Sequence, residues 1–369
     1  MKKNLQSIFK KLFYNLFFLF HGRIKQSVPA DSTSRVEIKK VVLDKNFSYK
    51  IYKINEGRLY TDRIHDTAII LDNRIVDGPS FQLRNNNNVE VTNNIVFDKG
   101  TPRKLRKING SVLSLLTGGG GNDNYFHWLY DVLPRLELCK KIKDIESIDY
   151  FLLPNLKKKF QTESLKELKI PDKKLLSSEK YRHIKANQLL VTDHPYNFTN
   201  DAHENVQNIP SWVINWLKEK FLKKSSEQQD IYPKKIYIDR GDSTSNVSKL
   251  RKIINENEIR DLLLREGFKI VRLGTLDFVD QVQYFNNAEY IVGLHGAGFA
   301  NITFCKANAR ILEFRMHKTG KMWENLAKTN RLRYNSIKCS PTVEDTTKQL
   351  GHIEVPLEEL KNELNVKNT

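Results

Sequence analysis

The sequence predicts an α/β protein with two Rossmann-like domains that face each other across a cleft, preceded by a β-rich leader. Two observations lead to this fold class. Short apolar strands alternate with helical segments over two stretches of the chain, which is the βαβ pattern of parallel sheets. In each stretch a strand runs into a glycine loop, at residues 118–121 and 293–298. The 369 residues, 39% of them hydrophobic, suffice for about two or three domains with their own cores.

Changes in composition divide the chain into segments. Residues 30 to 100 contain short alternating strands such as VEIKKVVLD, broken by Asn, Asp and Gly. Residues 192–212 are rich in Asn, Asp, His and Pro, which predicts a linker. The predicted segments are a basic amphipathic segment (1–28), the β-rich leader (29–105), an N-terminal α/β domain (106–205), a C-terminal α/β domain (206–345) and a C-terminal helix (346–369).

The first 25 residues are basic and aromatic. Six Lys and Arg side chains surround the run LFYNLFFLF, and acidic residues are absent. The run is nine residues long, whereas a helix needs about 20 apolar residues to span a bilayer. No small-residue cleavage site follows, so a secretory signal fits poorly. We expect a helix that lies on an anionic membrane surface, and the alternative is a basic tail without this role.

The first glycine loop belongs to the motif GGGGNDNYFHWLYDVLPRL, residues 118–136. The strand SVLSLLT precedes the loop, and the following helix is expected to begin near Asn122 or Asp123 as its N-cap. His127 and Asp131 are four residues apart, so they share one face of that helix. Because glycine has no side chain, the loop lets a ligand approach the backbone closely. The candidate cleft residues of this loop are Gly119, Gly120, Gly121 and Asn124.

The second glycine loop lies in YIVGLHGAGFANITF, residues 290–304. An apolar strand runs into glycines and then into a segment of helical spacing, whose free N–H groups and positive dipole end favour an anion such as phosphate. The alternative is an ordinary strand-to-helix turn without a ligand. Polar groups converge here, because Glu313 ends the next apolar run, ARILEF, at the same edge of the sheet. The candidate anion-binding residues are His295, Gly296, Ala297, Gly298, Asn301 and Glu313.

Two arginines precede this loop in a βαβ pattern. Arg240 closes the apolar strand KIYID, and Arg251 follows eleven residues later. A guanidinium group pairs two phosphate oxygens at once and keeps its charge throughout the physiological pH range. Both arginines are therefore candidates for binding a diphosphate, although in a chain with a net charge of +18 they could also be solvated surface side chains.

The two motifs, in this order, resemble glycosyltransferase family 61. The C-terminal half carries the strand-ending Arg240, then Arg251 ahead of NENE, EGF, Gln281 and VGLHGAGFAN. The N-terminal half carries Gly-Asn, Tyr, His-Trp, Asp and Leu-Pro-Arg within residues 118–136. The resemblance covers about residues 110–340. It implies a two-domain fold of the GT-B type, in which the C-terminal half binds the nucleotide sugar and the N-terminal half binds the acceptor.

The resemblance also implies an activity and a place in the cell. We expect an inverting hexosyl- or pentosyltransferase that moves a sugar from a nucleotide-sugar donor to a hydroxyl of a growing surface glycan. The acceptor is expected to be a glycan or lipid-linked glycan of capsular or lipopolysaccharide type. Such an enzyme is expected in the cytoplasm, peripherally associated with the inner face of the membrane.

Inversion needs one base, which removes a proton from the acceptor hydroxyl. Asp131 is the first candidate for this base and His127 the second, and the alternative is that the two side chains only bond to each other or to backbone. Arg240, Arg251 and the amides of the second loop would compensate the charge of the leaving diphosphate, and Glu313 would bind ribose hydroxyls. The sequence contains no Asp-x-Asp triplet, so neither a metal nor another cofactor is expected.

The runner-up is a non-catalytic basic module that binds nucleic acid or another anionic polymer, since the net charge favours acidic partners. The sequence has no recognised RNA or DNA motif, and a polymer binder has no need of a carboxylate beside a glycine loop. We therefore expect no nucleic-acid partner. The three cysteines, Cys139, Cys305 and Cys339, show no metal or redox spacing and are expected to be reduced and structural.

Overall fold

Two sheets organise the computed structural model, one in the unit Met1–Val206 and the other in the unit Gln207–Thr369. The structure describes residues 2–44, 47–62, 66–84, 87–89, 91–116, 124–199, 201–222, 231–241, 251–342 and 351–365. The division between the units falls one residue after the expected boundary at 205/206. The placement of two domains across a cleft stays a prediction.

The N-terminal sheet is mixed, and its described strands are β1 (Gln26–Pro29), β2 (Val36–Asp44), β3 (Phe47–Asn55), β4 (Arg58–Thr61), β5 (Asp66–Leu71), β6 (Arg74–Asp77), β7 (Phe81–Arg84), β8 (Asn87–Val89), β9 (Arg106–Ser114), β10 (Tyr150–Leu153), β11 (Leu175–Ser177) and β12 (His183–Thr192). Four of them pair in parallel in the order β11-β10-β9-β12. This is the order of the first four strands of a Rossmann fold. From β9 the chain first adds strands on one side (β10, β11) and then returns to the other side (β12), so the strand order reverses between β9 and β12. Doubly wound sheets bind their ligands at such a reversal, beyond the carboxyl ends of the strands.

The strands of the predicted leader belong to this same sheet. On the edge away from β9, β12 pairs antiparallel with β3 and β4, so that Leu189 lies opposite Ile54 and Ile184 opposite Leu59. These four side chains are fully buried in one core cluster. Because β12 is ten residues long, it has room for both partners on this edge. The leader strands therefore complete the N-terminal sheet, whereas the sequence places a domain boundary at 105/106.

The described helices of the N-terminal unit are α1 (Lys2–His21), α2 (Val96–Lys99), α3 (Tyr125–His127), α4 (Arg135–Lys140), α5 (Lys159–Glu167) and α6 (Ala202–Asn205). The last turn of α1 is fixed to the sheet, because Arg58 donates from Nη1 to the carbonyl of His21 at 3.2 Å. The rings of His21 and His183 are 4.8 Å apart. Among the described residues, no helix has the length and hydrophobicity needed to cross a membrane.

The described residues of the C-terminal unit form a five-stranded parallel sheet. Its described strands and helices are α7 (Ser211–Phe221), β13 (Lys235–Ile238), α8 (Glu256–Arg265), β14 (Lys269–Val271), α9 (Phe278–Asn287), β15 (Tyr290–Leu294), β16 (Arg310–Met316), α10 (Met322–Thr329), β17 (Arg333–Cys339) and α11 (Leu357–Asn365). The order β14-β13-β15-β16-β17 is that of a doubly wound sheet, with its reversal between β13 and β15. The terminal helix α11 buries Leu360 in the core of this sheet rather than forming a separate segment.

Two elements near the second glycine loop differ from the sequence-based expectation. Strand β16 continues through Arg315 to Met316, so Glu313 lies in the middle of the strand and not at its end. Arg315 is buried, which is why a charged residue does not end the strand here. The segment Ala297–Phe304 is 3-10 helical and not α-helical. Its side chains are buried from Phe299 through Phe304, so the segment has no exposed face of α-helical spacing.

Candidate active site

The N-terminal candidate site begins beyond the carboxyl end of β9. Asn124 is the N-cap of α3, because its side-chain oxygen accepts a hydrogen bond from the backbone N–H of Phe126 at 2.9 Å. The cap therefore lies one or two residues later than the sequence predicts. The predicted loop residues Gly119, Gly120 and Gly121 lie outside the described residues.

A π-helical segment, Trp128–Val132, follows α3 and carries Asp131. Its side chains are all buried, and the indole N–H of Trp128 donates to Oγ of Ser164 at 2.8 Å. The segment ends before Pro134, which has no N–H to continue the ladder. Such single π-helical turns are rare and are often found at functional sites. Here the turn sets Nδ1 of His127 2.7 Å from Oδ2 of Asp131.

Asp131 has two further partners in the segment that the sequence assigns to a linker. Nε2 of His194 lies 3.5 Å from Oδ2 of Asp131, and the hydroxyl of Tyr196 donates to Oδ1. Sequence reasoning missed both residues. Both residues follow β12, at the point where the strand order reverses. The sequence signal that could have indicated them is a His and a Tyr directly after a long apolar strand.

The charges of this cluster favour an ionised Asp131. Burial opposes its ionisation, but the two neighbouring histidines outweigh burial and hold the pKa of Asp131 well below its ordinary value. Burial also lowers the pKa of His127, yet the charge of Asp131 outweighs it and leaves the pKa of His127 raised. The pKa of His194 is lowered, chiefly by burial. Asp131 favours the protonated form of both histidines, but it outweighs burial only at His127.

The second candidate site lies at the reversal between β13 and β15. Arg240 follows β13 and donates from Nη1 to the carbonyl of His295 at 2.7 Å. A Cβ atom on Gly296 would lie 3.0 Å from that same Nη1, so glycine is needed for this close approach. Burial, together with the like charge of Arg240, lowers the pKa of Arg251 to about 10. The structure thus brings the two predicted arginines and the predicted loop together.

The remaining predicted residues of this site lie behind the loop. Glu313 is 1% exposed, and it contacts Nδ1 of His295 through Oε1 and the hydroxyl of Tyr334 through Oε2. Asn301 is fully buried and donates from Nδ2 to Oε1 of Gln281 and to the carbonyl of Gly298, both at 3.3 Å. Asn301 therefore supports the loop from inside. Ala297 is the first residue of the 3-10 segment.

Sequence reasoning also missed a carboxylate at this edge of the sheet. Asp239 directly follows β13, is 2% exposed, and accepts from Arg260 at 3.0 Å and from Nε of Arg272 at 2.9 Å. Its other oxygen accepts from the N–H of Gly241 at 2.7 Å. Asp239 therefore fixes the backbone immediately after Arg240. Among the described residues, no group of three His, Cys, Asp or Glu side chains is placed to hold a metal ion.

Comparisons with known proteins place the chain in a family. A comparison with curated proteins found no match. The family model described as Glycosyltransferase 61 matches residues 125–312, which is about half of the chain. The matched range includes the His127–Asp131 pair and the second site as far as the residue before Glu313. The chain belongs to glycosyltransferase family 61 and is accordingly a glycosyltransferase.

Proposed function

We propose that the protein is an inverting, metal-independent glycosyltransferase that moves a hexose or pentose from a nucleotide sugar to a hydroxyl of a surface glycan of capsular or lipopolysaccharide type. The observation that carries this proposal is the pair of His127 and Asp131, with 2.7 Å between Nδ1 and Oδ2. Inversion by direct displacement requires one base for the acceptor hydroxyl. A histidine backed by a buried carboxylate is well suited to be that base.

His127 is a better candidate for the base than Asp131, which reverses the order expected from sequence. The side chain of His127 is 25% exposed and that of Asp131 only 4%. Both oxygens of Asp131 already have hydrogen-bonding partners. In the proposed reaction, Nε2 of His127 takes the proton as the acceptor oxygen attacks the anomeric carbon. Asp131 orients the ring and stabilises the imidazolium that forms.

The C-terminal unit is proposed to bind the nucleotide sugar. Burial and, after it, the charge of Arg240 lower the pKa of Arg251, and a diphosphate bound by both arginines would offset their mutual repulsion. The bond from the anomeric carbon to the β-phosphate oxygen breaks, and the electron pair stays on the phosphate. Two guanidinium groups compensate that charge without a metal ion.

The proposed enzyme works at an anionic membrane surface, on the cytoplasmic inner face. The surface of α1 supports this part of the proposal. Phe9 is 70% exposed and Leu12 64%, and Lys10 and Lys11 are also exposed. An amphipathic helix with exposed apolar and basic side chains inserts its apolar face at the lipid interface and attracts acidic headgroups.

The first experiment measures thermal stabilisation by UDP, GDP, ADP, CDP and dTDP in the presence of EDTA. We expect one of them to raise Tm in the wild type, and Arg240→Ala and Arg251→Ala to remove most of this shift. Arg265→Ala is the matched control, because Arg265 is an exposed arginine at the end of α8. Release of that nucleoside diphosphate from its sugar donors, followed by chromatography, then identifies the sugar.

Two results would contradict the proposal. A nucleotide shift that appears only after a divalent metal is added would overturn metal independence. The absence of any nucleotide shift, together with tight and salt-sensitive binding of nucleic acid, would favour the binding module instead.

A further inference from the structure

Helix α1 has a free part and an attached part. All side chains of residues 8–13 are exposed, and even the aromatic rings of Phe9 and Phe13 are 70% and 42% exposed. These six residues make more than one helical turn of about 3.6 residues, so no face of the helix is covered there. The attached part begins at Tyr14, which is half-buried. The free part of α1 therefore extends beyond the folded body of the N-terminal unit.

The attached part contacts the unit where two central strands begin. The ring of His21 lies 4.8 Å from the ring of His183, the first residue of β12. A Cβ atom on Gly100 would lie 2.5 Å from the ring of Phe18, so only glycine permits this contact. Gly100 precedes β9, which pairs in parallel with β12. Both contacts thus attach α1 at the amino ends of β9 and β12.

Exposed basic side chains lie beside these contacts. The guanidinium group of Arg23 is 4.7 Å from the centre of the Phe18 ring. The segment around Gly100 adds three more exposed cations, Lys99, Arg103 and Lys104. Such side chains are attracted to anionic lipid headgroups. The end of the sheet that holds α1 is therefore the end that suits an anionic membrane surface.

The catalytic pair lies at the opposite end of β12. This strand has ten residues, so its ends are about 30 Å apart at about 3.3 Å per residue. Two residues beyond its last residue, Nε2 of His194 lies 3.5 Å from Oδ2 of Asp131. An interfacial helix sinks only about 5–10 Å into the headgroup region, which is much less than this separation. The base His127, which contacts Asp131, is thus far from the place where α1 meets the lipid.

We infer that the catalytic pair works about 30 Å from the membrane surface, and that the acceptor is a lipid-linked glycan already several sugars long. This inference rests on the proposed function. A single sugar on a lipid carrier stays at the level of the headgroups, so its hydroxyl does not reach His127. Earlier sugar transfers to the same lipid carrier must therefore supply the substrate, and this enzyme extends the end of the glycan that is remote from the lipid.

The first test measures energy transfer from dye-labelled protein to a headgroup-labelled lipid in vesicles of phosphatidylglycerol and phosphatidylcholine. The three native cysteines are buried, so an added surface cysteine takes the dye. Asp98→Cys labels the end that holds α1, and Ser48→Cys labels the catalytic end, because Ser48 precedes Ile51, the partner of Thr192. We expect strong transfer from the label at position 98 and little from the label at position 48.

A variant without membrane binding is the control for both labels. Phe9→Ser with Leu12→Ser removes exposed apolar side chains of α1 and should abolish energy transfer at both positions. Equal transfer from the two labels in vesicle-bound protein would overturn the inference and leave membrane binding intact. If the wild type does not bind the vesicles, the membrane part of the proposed function fails and the inference fails with it.

The second test compares acceptors of different length. Lipid-linked saccharides from cells that make the glycan are separated by chain length, placed in the same vesicles and offered with radiolabelled donor. The shortest should be extended at least about a hundredfold more slowly than the long ones, since a hydroxyl that does not reach the base gains nothing from proximity. After mild acid has released the saccharides from the lipid, all lengths should be extended at similar rates.

The released saccharides separate reach from recognition. A dependence on length that persists after release would show that the enzyme recognises more than one sugar, and it would overturn the inference. Efficient extension of the shortest saccharide in vesicles would overturn it as well, while the proposed function would stand. Failure to extend any saccharide, bound or released, would count against the proposed function itself.

Discussion

Arg135 joins the two segments that supply the N-terminal site. Its Nε donates to the carbonyl of Asp131 and its Nη1 to the carbonyl of Thr192, both at 2.9 Å. Thr192 ends β12 and precedes His194 by two residues. Arg135 is 1% exposed, and this burial lowers its pKa to about 10. One buried guanidinium group thus fixes both the backbone of Asp131 and the strand end that leads to His194.

The first prediction concerns the pH dependence of transfer. A base works in its unprotonated form, so the wild-type rate should rise with pH through the raised pKa of His127. In Asp131→Asn this rise should move to lower pH, because the charge that raises the pKa is gone. His127→Gln should lower kcat by about a hundred- to ten-thousandfold and leave nucleotide binding intact.

A pH–rate profile of donor turnover provides the measurement. Glu137→Gln is the control, since Glu137 lies close by in α4 and pairs with the surface Lys141 at 2.8 Å. A rise at the same pH in Asp131→Asn and in the wild type would exclude the pair as the catalytic unit.

The second prediction concerns the contact between Gly296 and Arg240. In Gly296→Ala the new Cβ would lie 3.0 Å from the guanidinium group, which is the mobile end of a long side chain. Arg240 should therefore move away at little cost in stability but with weaker diphosphate binding, by about tenfold if one charged hydrogen bond is lost. The thermal shift with nucleotide and Tm without it separate the two effects.

Gly320→Ala is the matched control for that variant. The nearest atoms to a Cβ on Gly320 are those of Gln207 at 3.5 Å, an ordinary contact distance. Full nucleotide binding by Gly296→Ala would mean that the close approach of Arg240 to the loop has no part in donor binding.

The third prediction concerns the helix α1. We expect the protein to co-sediment with vesicles of phosphatidylglycerol and phosphatidylcholine and much less with phosphatidylcholine alone. Lys10→Gln with Lys11→Gln should weaken this binding by about tenfold or more, because each basic side chain near the surface contributes about 1 kcal/mol. Phe9→Ser with Leu12→Ser should weaken binding to both kinds of vesicle.

Val42→Ser controls for the loss of an exposed apolar side chain elsewhere, since Val42 is 66% exposed. The prediction is wrong if the protein sediments equally with both vesicle types and if the lysine substitutions do not change this. In that case α1 has no role at anionic membranes.

The fourth prediction concerns stability in mild acid. Burial lowers the pKa of His183 to about 3. Its ring lies 2.9 Å from the carbonyl of Arg103 and accepts from Nε of Arg58 at 3.3 Å, so it fits only as neutral imidazole. The unfolded chain takes up this proton near pH 6.5. The free energy of unfolding should therefore fall from about pH 6.5 downward, by about 2 kcal/mol at pH 5.

His183→Gln should flatten the decline in urea-unfolding midpoint between pH 7 and pH 5. His203→Gln, at an exposed histidine of α6, should retain the full decline. A decline of the same size in both variants would place the acid sensitivity at other residues than His183.

The sequence predicted residues of both candidate sites that the structure brings together, but not all of their partners. His127 and Asp131 share a helix turn, and Arg240 comes two residues after a strand, so local periodicity suffices to place them. His194 and Tyr196 reach Asp131 only because β12 lies beside β9, and such pairing between distant strands has no local signal. Glu313 was placed at a strand end because the apolar run ARILEF stops there. The strand continues through Arg315, whose guanidinium group is buried and donates to Tyr334 and to the carbonyl of Thr319.

The position of β12 also decides how the chain can be shortened. The residues matched by the family begin at 125, but β12 pairs through Gln188–Thr192 with β3 and through His183–Lys185 with β4. An expression clone that starts at the matched range, or at residue 106, would leave this long edge open to pair with other chains. We expect such clones to aggregate, and a soluble catalytic fragment to require the first strands of the protein as well.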